Sequence, residues 1–200
     1  MNRIVLATRN AAKLAELARI LAEADLPLQV CGVDAFADVP EVAETGTTFA
    51  ENALLKAHAV AQASGVPAIA DDSGLCVDAL NGMPGIFSAR WAGKHGDDEA
   101  NLDLVLGQLQ DVPDERRGAK FACAAALALP DGTGQSVLAT ITGVLLRERR
   151  GSNGFGYDPI FQPYGHERTT AEMSAAEKDA ISHRGQALRQ LLPALRRLIV

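Results

Sequence analysis

The first 33 residues of the chain change their hydrophobic period twice, and this change limits the folds that the chain can adopt. Residues 4–7 are a short apolar run typical of a buried strand, and residues 28–33 are a second strand candidate. Between them, Leu14, Leu17, Ala18 and Leu21 recur with the spacing of one helical face. A strand, a helix and a strand in this order predict an α/β protein.

The rest of the chain continues this pattern. We predict a helix over residues 48–64, a strand over 67–70 and a third helix around Leu102–Leu109. Residues 121–129 and 137–146 flank a turn and predict an antiparallel hairpin. A final leucine-rich helix contains Pro193, which is expected to bend or interrupt it. The expected fold is a mixed β-sheet flanked by helices, with residues 1–200 as one domain of two lobes around a cleft.

The charge balance excludes some classes of partner. The formal net charge is −6 and the sequence pI is about 5.2, so nonspecific binding to nucleic acid or to an anionic membrane is disfavoured. The N-terminal apolar run at residues 4–7 is too short for a signal peptide's apolar region, and no segment approaches the length of a membrane span. The 3 cysteines form no CxxC pair and are expected to be reduced. We therefore expect a cytoplasmic protein.

Residues 8–13, Thr-Arg-Asn-Ala-Ala-Lys, connect the first strand to the first helix, and loops of this kind commonly carry the ligand in α/β proteins. Asn10 is expected to cap the helix. Arg9 and Lys13 are cations at the end of the helix that favours anions. A bound phosphate would resolve this conflict, because backbone N–H groups and both cations would face it. The alternative is a pair of solvated surface charges.

Residues 44–56 lead into the second helix. Thr48 and Glu51 have the spacing of a capping box, so Glu51 is assigned a structural role. Glu44 has no such role and is a candidate metal ligand. Lys56 follows Asn52 by four residues beside the apolar stripe, and it either extends to solvent or binds phosphate.

Two adjacent carboxylates, Asp71 and Asp72, follow the apolar strand and precede Ser73-Gly74. If the strand continues, the two side chains point to opposite faces, and only one faces a cleft fully. Mg²⁺ usually takes one or two carboxylates together with waters and phosphate oxygens. Asp72 with Glu44 would supply that set. The alternative is a solvated Asp-Asp-Ser-Gly turn.

Two later segments contain further candidate site residues. In the glycine-rich residues 151–159, Phe155 stands between two glycines, where it would either stack on a base or anchor a flexible loop in the core. In residues 174–184, Ser174 and Glu177 have capping-box spacing and Lys178 follows them. His183 and Arg184 then open the last helix, with cations again at a helix N-terminus.

These segments together resemble the inosine triphosphate pyrophosphatases, enzymes that remove noncanonical purine nucleoside triphosphates. The motifs that carry the resemblance occur in the family's order at residues 8–13, 44–53, 70–75, 154–161 and 182–188. Five motifs in order are far more specific than any one of them. The resemblance covers nearly the whole chain, from Ile4 to Leu195.

The resemblance implies an elongated two-lobed α/β fold, a homodimer, and Mg²⁺-dependent hydrolysis of ITP, dITP or XTP to the monophosphate and pyrophosphate. It makes Glu44 and Asp72 metal ligands, with Asp72 also the proton acceptor. It implies phosphate contacts from Thr8, Arg9, Asn10, Ala11, Ala12, Lys13 and Lys56. It implies further substrate contacts from Ser73, Phe155, Gly156, Tyr157, Asp158, Lys178, His183 and Arg184.

Base selection follows from the chemistry of the donors. Phe155 would stack on any purine, whereas Arg184, His183 or backbone donors suit a 6-keto oxygen and not a 6-amino group. Two rivals remain at this point. One is a pyrophosphatase of similar fold that cleaves modified pyrimidine or standard triphosphates. The other is a regulatory module that binds nucleotides without hydrolysing them.

Overall fold

The computed structural model of the protein describes residues 3–37 and 39–199. Five α-helices lie in these ranges: α1 (Ala11–Glu23), α2 (Phe49–Ser64), α3 (Asp98–Gln108), α4 (Ala175–Ile181) and α5 (His183–Arg196). Short 3₁₀ turns add Val33–Ala35, Asp78–Leu80, Gly85–Arg90, Asp114–Arg116, Asp158–Ile160 and Thr170–Glu172. Among the described residues, no helix is long and apolar enough to cross a membrane.

Six strands form one mixed sheet, in the order β2-β1-β3-β4-β5-β6. They are β1 (Arg3–Leu6), β2 (Gln29–Gly32), β3 (Ala68–Val77), β4 (Gly118–Ala128), β5 (Gly134–Leu145) and β6 (Phe161–Pro163). β1 pairs in parallel with β2 and β3, and β5 pairs antiparallel with β6. Only five residues separate the neighbouring strands β4 and β5, as the predicted hairpin requires. The predicted α/β class is confirmed.

The chain divides into two compact units. The first comprises Met1–Asp72, Cys123–Ala139 and Arg184–Val200, and the second comprises Ser73–Ala122 and Thr140–His183. The first unit holds the chain's helices α1, α2 and α5, and the second holds α3 and α4. The single two-lobed domain stays a prediction.

Two apolar clusters cover opposite faces of the sheet in the first unit, and strand alternation decides which residue joins which cluster. One cluster contains α1, α5, Ile69 and the odd-numbered residues 123, 125 and 127 of β4. The other contains α2, Ala68, Ala70 and the even-numbered residues 124, 126 and 128. A side chain at 71 therefore belongs to the α1 and α5 face, and one at 72 belongs to the α2 face.

The second unit has its own core, in which Leu102, Val105 and Leu109 of α3 pack with Leu75 and Phe161. The predicted face of α3 is thus buried. This unit also contains a buried cation, Arg117. Its guanidinium donates hydrogen bonds to the backbone oxygens of Leu109, Leu145 and Leu146. Desolvation lowers the pKa of Arg117, but three carbonyl acceptors satisfy its guanidinium.

Three local predictions are wrong in part. The strand predicted over residues 67–70 begins at Ala68 and runs to Val77, because Leu75 and Val77 continue its apolar pattern into the second core. Pro193 does not interrupt α5, which continues to Arg196 while Leu191 and Leu195 hold it against the core, and the alternative of a bend at Pro193 stays a prediction. Ala18 of α1 is exposed, and Ile20 is buried in its place.

Candidate active site

The acidic pair lies within β3 and not at its end. Asp71 and Asp72 are both nearly buried, with 9% and 8% of their surface exposed. Gly74, which suggested a turn, marks a close approach instead, because a Cβ atom there would lie 2.4 Å from the carbonyl oxygen of Gly85. The solvated-turn alternative is therefore wrong, and each buried carboxylate needs compensating partners.

Asp71 is the acceptor for cations from two helices. Its Oδ2 atom lies 2.8 Å from Nζ of Lys13 in α1 and 3.3 Å from Nε of Arg184 in α5. Arg184 also approaches Glu16, at 4.0 Å. Burial alone would raise the pKa of Asp71, but the charges of Lys13 and Arg184 outweigh it and hold the pKa at about 2. Asp71 is therefore ionised at neutral pH.

This contact corrects one step of the sequence argument. A bound phosphate was one of two explanations offered for the cations at the N-terminus of α1, and α5 was noted to begin with cations as well. In the structure, the carboxylate of Asp71 supplies an anion to Lys13 and Arg184. Arg9 instead pairs with Asp34 on the surface, where both side chains are mostly exposed. The position of these cations alone is thus no argument for phosphate.

Asp72 belongs to a second cluster on the α2 face. Nδ2 of Asn52 donates to Oδ2 of Asp72 at 3.1 Å, and Nζ of Lys56 lies 3.7 Å from Oδ1. The same ammonium group donates to Oε1 of Glu44 at 2.8 Å. Glu44, Lys56 and Asp72 are therefore neighbours, and the two carboxylates predicted to bind metal converge on one cationic group.

This pair of carboxylates fits Mg²⁺. Glu44 and Asp72 offer hard oxygen donors, and Mg²⁺ usually binds through one or two carboxylates and completes its shell with water and phosphate oxygens. Within the described ranges, no group of three or more His, Cys, Asp or Glu could hold a metal. Two carboxylates would leave the remaining coordination positions of the metal to water or to phosphate oxygens.

The start of α2 fixes the segment that carries Glu44. Thr48 caps the helix by accepting a hydrogen bond from the backbone N–H of Glu51. The Glu51 carboxylate accepts from the backbone N–H and the hydroxyl of Thr47. These bonds lower the pKa of Glu51, with the Thr47 backbone bond the largest cause. Glu51 is structural as predicted, but its carboxylate binds Thr47, one residue before the N-cap.

The predicted phosphate loop precedes α1. Asn10 caps the helix as expected, and its Oδ1 accepts from the backbone N–H groups of Ala12 and Lys13. The hydroxyl of Thr8 accepts from the backbone N–H of Asn10. Ala11 and Ala12 are exposed on the first turn of the helix. A pocket of about 210 Å³ borders Thr8 and Lys56, and it also borders Arg9 and several valines.

The predicted base-binding residues other than Arg184 lie in the second unit. Phe155 has 64% of its surface exposed, and Nζ of Lys178 lies 5.0 Å from the centre of its ring. The buried carboxylate of Asp158 accepts from the backbone N–H of Phe155, from Nζ of Lys178 and from the hydroxyl of Thr170. Asp158 thus holds the aromatic ring and the ammonium group together. Phe155 does not anchor the core.

Four further predicted residues are placed as follows. Tyr157 packs in the second core, and its hydroxyl donates to the backbone oxygen of Ser88; burial raises its pKa. The backbone N–H of Gly156 donates to Asp98. The ring of His183 stacks on Phe121, with centroids 5.1 Å apart. Ser73 is half-buried in β3.

Several residues that organise these clusters were not predicted from the sequence as site residues. Asn52, Asp98 and Thr170 contact predicted site residues through side-chain hydrogen bonds. A signal existed for Asn52, because it precedes Lys56 by four residues and so shares its helix face. Asp98 and Thr170 are 58 and 12 residues from their partners, and no local pattern pairs them.

Known proteins resemble this chain along its whole length. The profile of the Ham1 family matches residues 4–194. A dITP/XTP pyrophosphatase of Streptomyces coelicolor is 64% identical over 199 residues, which cover 100% of both chains. A HAM1 protein structure from Coxiella burnetii has a TM-score of 0.90 and 46% identity, covering 98% of this chain and 100% of that one.

A second solved structure gives the same result. The nucleoside-triphosphatase/dITP/XTP pyrophosphatase of Mycobacterium abscessus has a TM-score of 0.82 and 51% identity, covering 96% of this chain and 99% of that one. The resemblance drawn from five motifs is confirmed by these matches, which extend over the residues between the motifs as well. The chain belongs to the Ham1 family.

Proposed function

We propose that the protein hydrolyses noncanonical purine nucleoside triphosphates, dITP, ITP and XTP, to the monophosphate and pyrophosphate with the help of Mg²⁺. Its relatives of 54–64% identity that span nearly all of both chains carry the name dITP/XTP pyrophosphatase. The structural observation that carries the proposal is the convergence of Glu44 and Asp72 on Lys56.

That convergence suits a triphosphate. The negative charge of the phosphates must be offset before water can approach a phosphorus atom. Glu44 and Asp72 would hold Mg²⁺, which when bound acidifies water and offsets phosphate charge. Lys56, whose ammonium already lies beside both carboxylates, would add a positive charge next to the metal. Thr8 and Arg9 border the same pocket as Lys56 and would bind the phosphate chain.

In the proposed reaction, a water oxygen bonds to the α-phosphorus and the bond to the oxygen bridging the α- and β-phosphorus atoms breaks. Pyrophosphate leaves with that oxygen, and the water proton passes to Asp72. An aspartate is a weak base at its usual pKa of about 3.9. Acidification of the water by the bound metal would therefore supply much of the rate enhancement. Asn52 holds Oδ2 of Asp72, and Oδ1 faces Lys56.

The second unit would bind the base. The ring of Phe155 is exposed and suited to stacking on a purine. Lys178 and His183 would donate hydrogen bonds to keto oxygens. A 6-amino group is itself a donor, so it could not accept these hydrogen bonds. This argument favours hypoxanthine and xanthine over adenine. Arg184 shares Asp71 with Lys13, so it would act on the substrate from that cluster.

One assay tests the proposal: release of pyrophosphate from ITP, dITP, XTP, GTP and ATP, each with and without Mg²⁺. We expect turnover of the first three that depends on Mg²⁺ and a clearly higher kcat/KM for ITP than for ATP. Binding of ITP without turnover would favour the regulatory module. Preference for pyrimidine or standard triphosphates would favour the other pyrophosphatase.

Assembly and location complete the proposal. The family resemblance implies a homodimer. We propose a cytoplasmic location, and the free cysteines Cys31, Cys76 and Cys123 suit a reducing compartment. Light scattering coupled to size-exclusion chromatography should give a mass of two chains. A mass of one chain under assay conditions would contradict the dimer without affecting the chemistry.

A further inference from the structure

A single side-chain amide connects the two carboxylates that are proposed to bind metal. Asn52, in the first turns of α2, is completely buried. Its Nδ2 atom donates to Oδ2 of Asp72 at 3.1 Å. Its Oδ1 atom accepts from the backbone N–H of Gly46 at 2.8 Å, two residues after Glu44. One amide therefore holds both the strand that carries Asp72 and the segment that carries Glu44.

The partners determine the orientation of this amide. The N–H of Gly46 can only donate and an ionised carboxylate can only accept, so the oxygen of Asn52 must face Gly46 and the nitrogen must face Asp72. The bond to Oδ2 also fixes the rotation of the carboxylate, since Oδ1 is then the atom that faces Lys56. Asn52 thus determines which oxygen of Asp72 faces the metal-binding side.

Gly46 permits the close approach on the other side. A Cβ atom at this position would lie 2.6 Å from Cβ of Glu51 and 2.8 Å from Oδ1 of Asn52. Any side chain there would push the segment away from α2 and break the bond to Asn52. Glycine at 46 and asparagine at 52 therefore belong to one arrangement.

We infer that Asn52 is a positioning residue that presets the separation and orientation of Glu44 and Asp72 for a divalent cation. This inference rests on the proposed function, because it concerns the metal pair of the same site. Hydrogen bonds to metal-binding carboxylates typically change metal affinity or activity about 10- to 100-fold. The effect of Asn52 is therefore expected in the affinity for the metal itself, before any nucleotide is present.

The experiment is a titration of the full-length protein with Mn²⁺, followed through the electron paramagnetic resonance signal of the free ion. We expect Asn52→Ala to raise the Kd for Mn²⁺ about 10- to 100-fold. Asn101→Ala is the matched control: Asn101 is equally buried, and its Oδ1 accepts from the backbone N–H of Ala92 at 2.7 Å. This control should lower the Tm and leave the Kd for Mn²⁺ unchanged.

A second variant covers the case in which Asn52→Ala does not fold. Gly46→Ala acts on the same hydrogen bond from the backbone side and should also weaken Mn²⁺ binding, whereas Gly107→Ala, where a Cβ meets nothing within 4 Å, should not. Unchanged Mn²⁺ affinity in a folded Asn52→Ala or Gly46→Ala protein would overturn the inference alone. Failure of the wild-type protein to bind Mn²⁺ would overturn the proposed metal site instead.

Discussion

Asp71 and Asp72 are consecutive in β3, but their carboxylates lie on opposite faces of the sheet and contact different helices. Asp71 binds Lys13 of α1 and Arg184 of α5, and Asp72 binds Asn52 of α2. Alternation along a strand produces this division. One carboxylate is used to neutralise and hold cations, and the other remains in the cluster with the proposed metal ligand.

The division predicts that the two carboxylates differ in function. Asp72→Asn keeps the shape of the side chain and still offers an oxygen to Asn52, but it removes the charge that faces Lys56. We expect pyrophosphate release from ITP to fall by at least about 100-fold, the usual minimum for loss of a general base. The unfolding midpoint in urea should stay close to that of the wild type. Activity near wild type would contradict the proposed role of Asp72.

Asp71 should contribute to stability with a defined pH dependence. Its pKa is lowered from 3.8 to about 2 in the folded protein. The ionised form is favoured by folding, so its contribution of about 2 kcal/mol is present above pH ~4 and is lost as the pH falls towards ~2. Asp71→Asn lacks this contribution and leaves Lys13 and Arg184 without their carboxylate.

The free energy of unfolding in urea, measured between pH 7 and pH 2.5, tests this prediction. The difference between wild type and Asp71→Asn should be largest at pH 7 and should shrink at the acid end. A difference that does not change with pH would contradict it. Asp34→Asn is the control, because Asp34 pairs with Arg9 on the surface, and exposed ion pairs contribute ~1 kcal/mol or less.

The faces of the sheet could be predicted from the sequence, but the partners on those faces could not. Strand alternation correctly separated Asp71 from Asp72 because it depends only on neighbouring residues. Lys13 and Arg184 are 58 and 113 residues from Asp71, and their pairing depends on how α1 and α5 pack. Lys13 was therefore predicted to contact phosphate and Arg184 to contact the base, and neither was predicted to be a partner of Asp71.

The extent of β3 was mispredicted for a related reason. Ser73-Gly74 has the composition of a turn, and the polar residues 71–73 end the apolar run. The strand continues because Gly74 permits contact with Gly85 and because Leu75 enters a second core. Both causes lie outside the local sequence. Asn52 was visible as a neighbour of Lys56 on α2, but its contact with Asp72 required the packing of the helix on the sheet.

Phe155 should contribute to nucleotide affinity and not to base selection. Stacking of a base on an aromatic ring contributes ~1–3 kcal/mol, so Phe155→Ala should raise the KM for ITP and for ATP alike by about 5- to 100-fold. Phe87→Ala is a matched control, since Phe87 is also exposed and has the guanidinium of Arg90 at 5.3 Å from its ring centre. If the KM for ITP and the KM for ATP changed by different factors, Phe155 would contribute to base selection.

Asp158 should act on substrate through Phe155 and Lys178. Its carboxylate is buried and accepts hydrogen bonds from both residues and from Thr170. Asp158→Asn can keep the bonds to Phe155 and Thr170, but it removes the charge opposite Lys178. Hydrogen bonds to charged groups contribute ~1.5–3 kcal/mol, so we expect kcat/KM for ITP to fall about 10- to 100-fold, mainly through KM.

A double-mutant cycle with Lys178→Met separates this indirect role from direct substrate contact. If Asp158 only holds Lys178 and the Phe155 loop, the double variant should be little worse than the poorer single variant. Additive losses in kcat/KM would mean that Asp158 contacts the nucleotide itself. Asp103→Asn, which removes an exposed partner of Arg149 in the same unit, should leave kcat/KM unchanged, because an exposed pair contributes little to the fold.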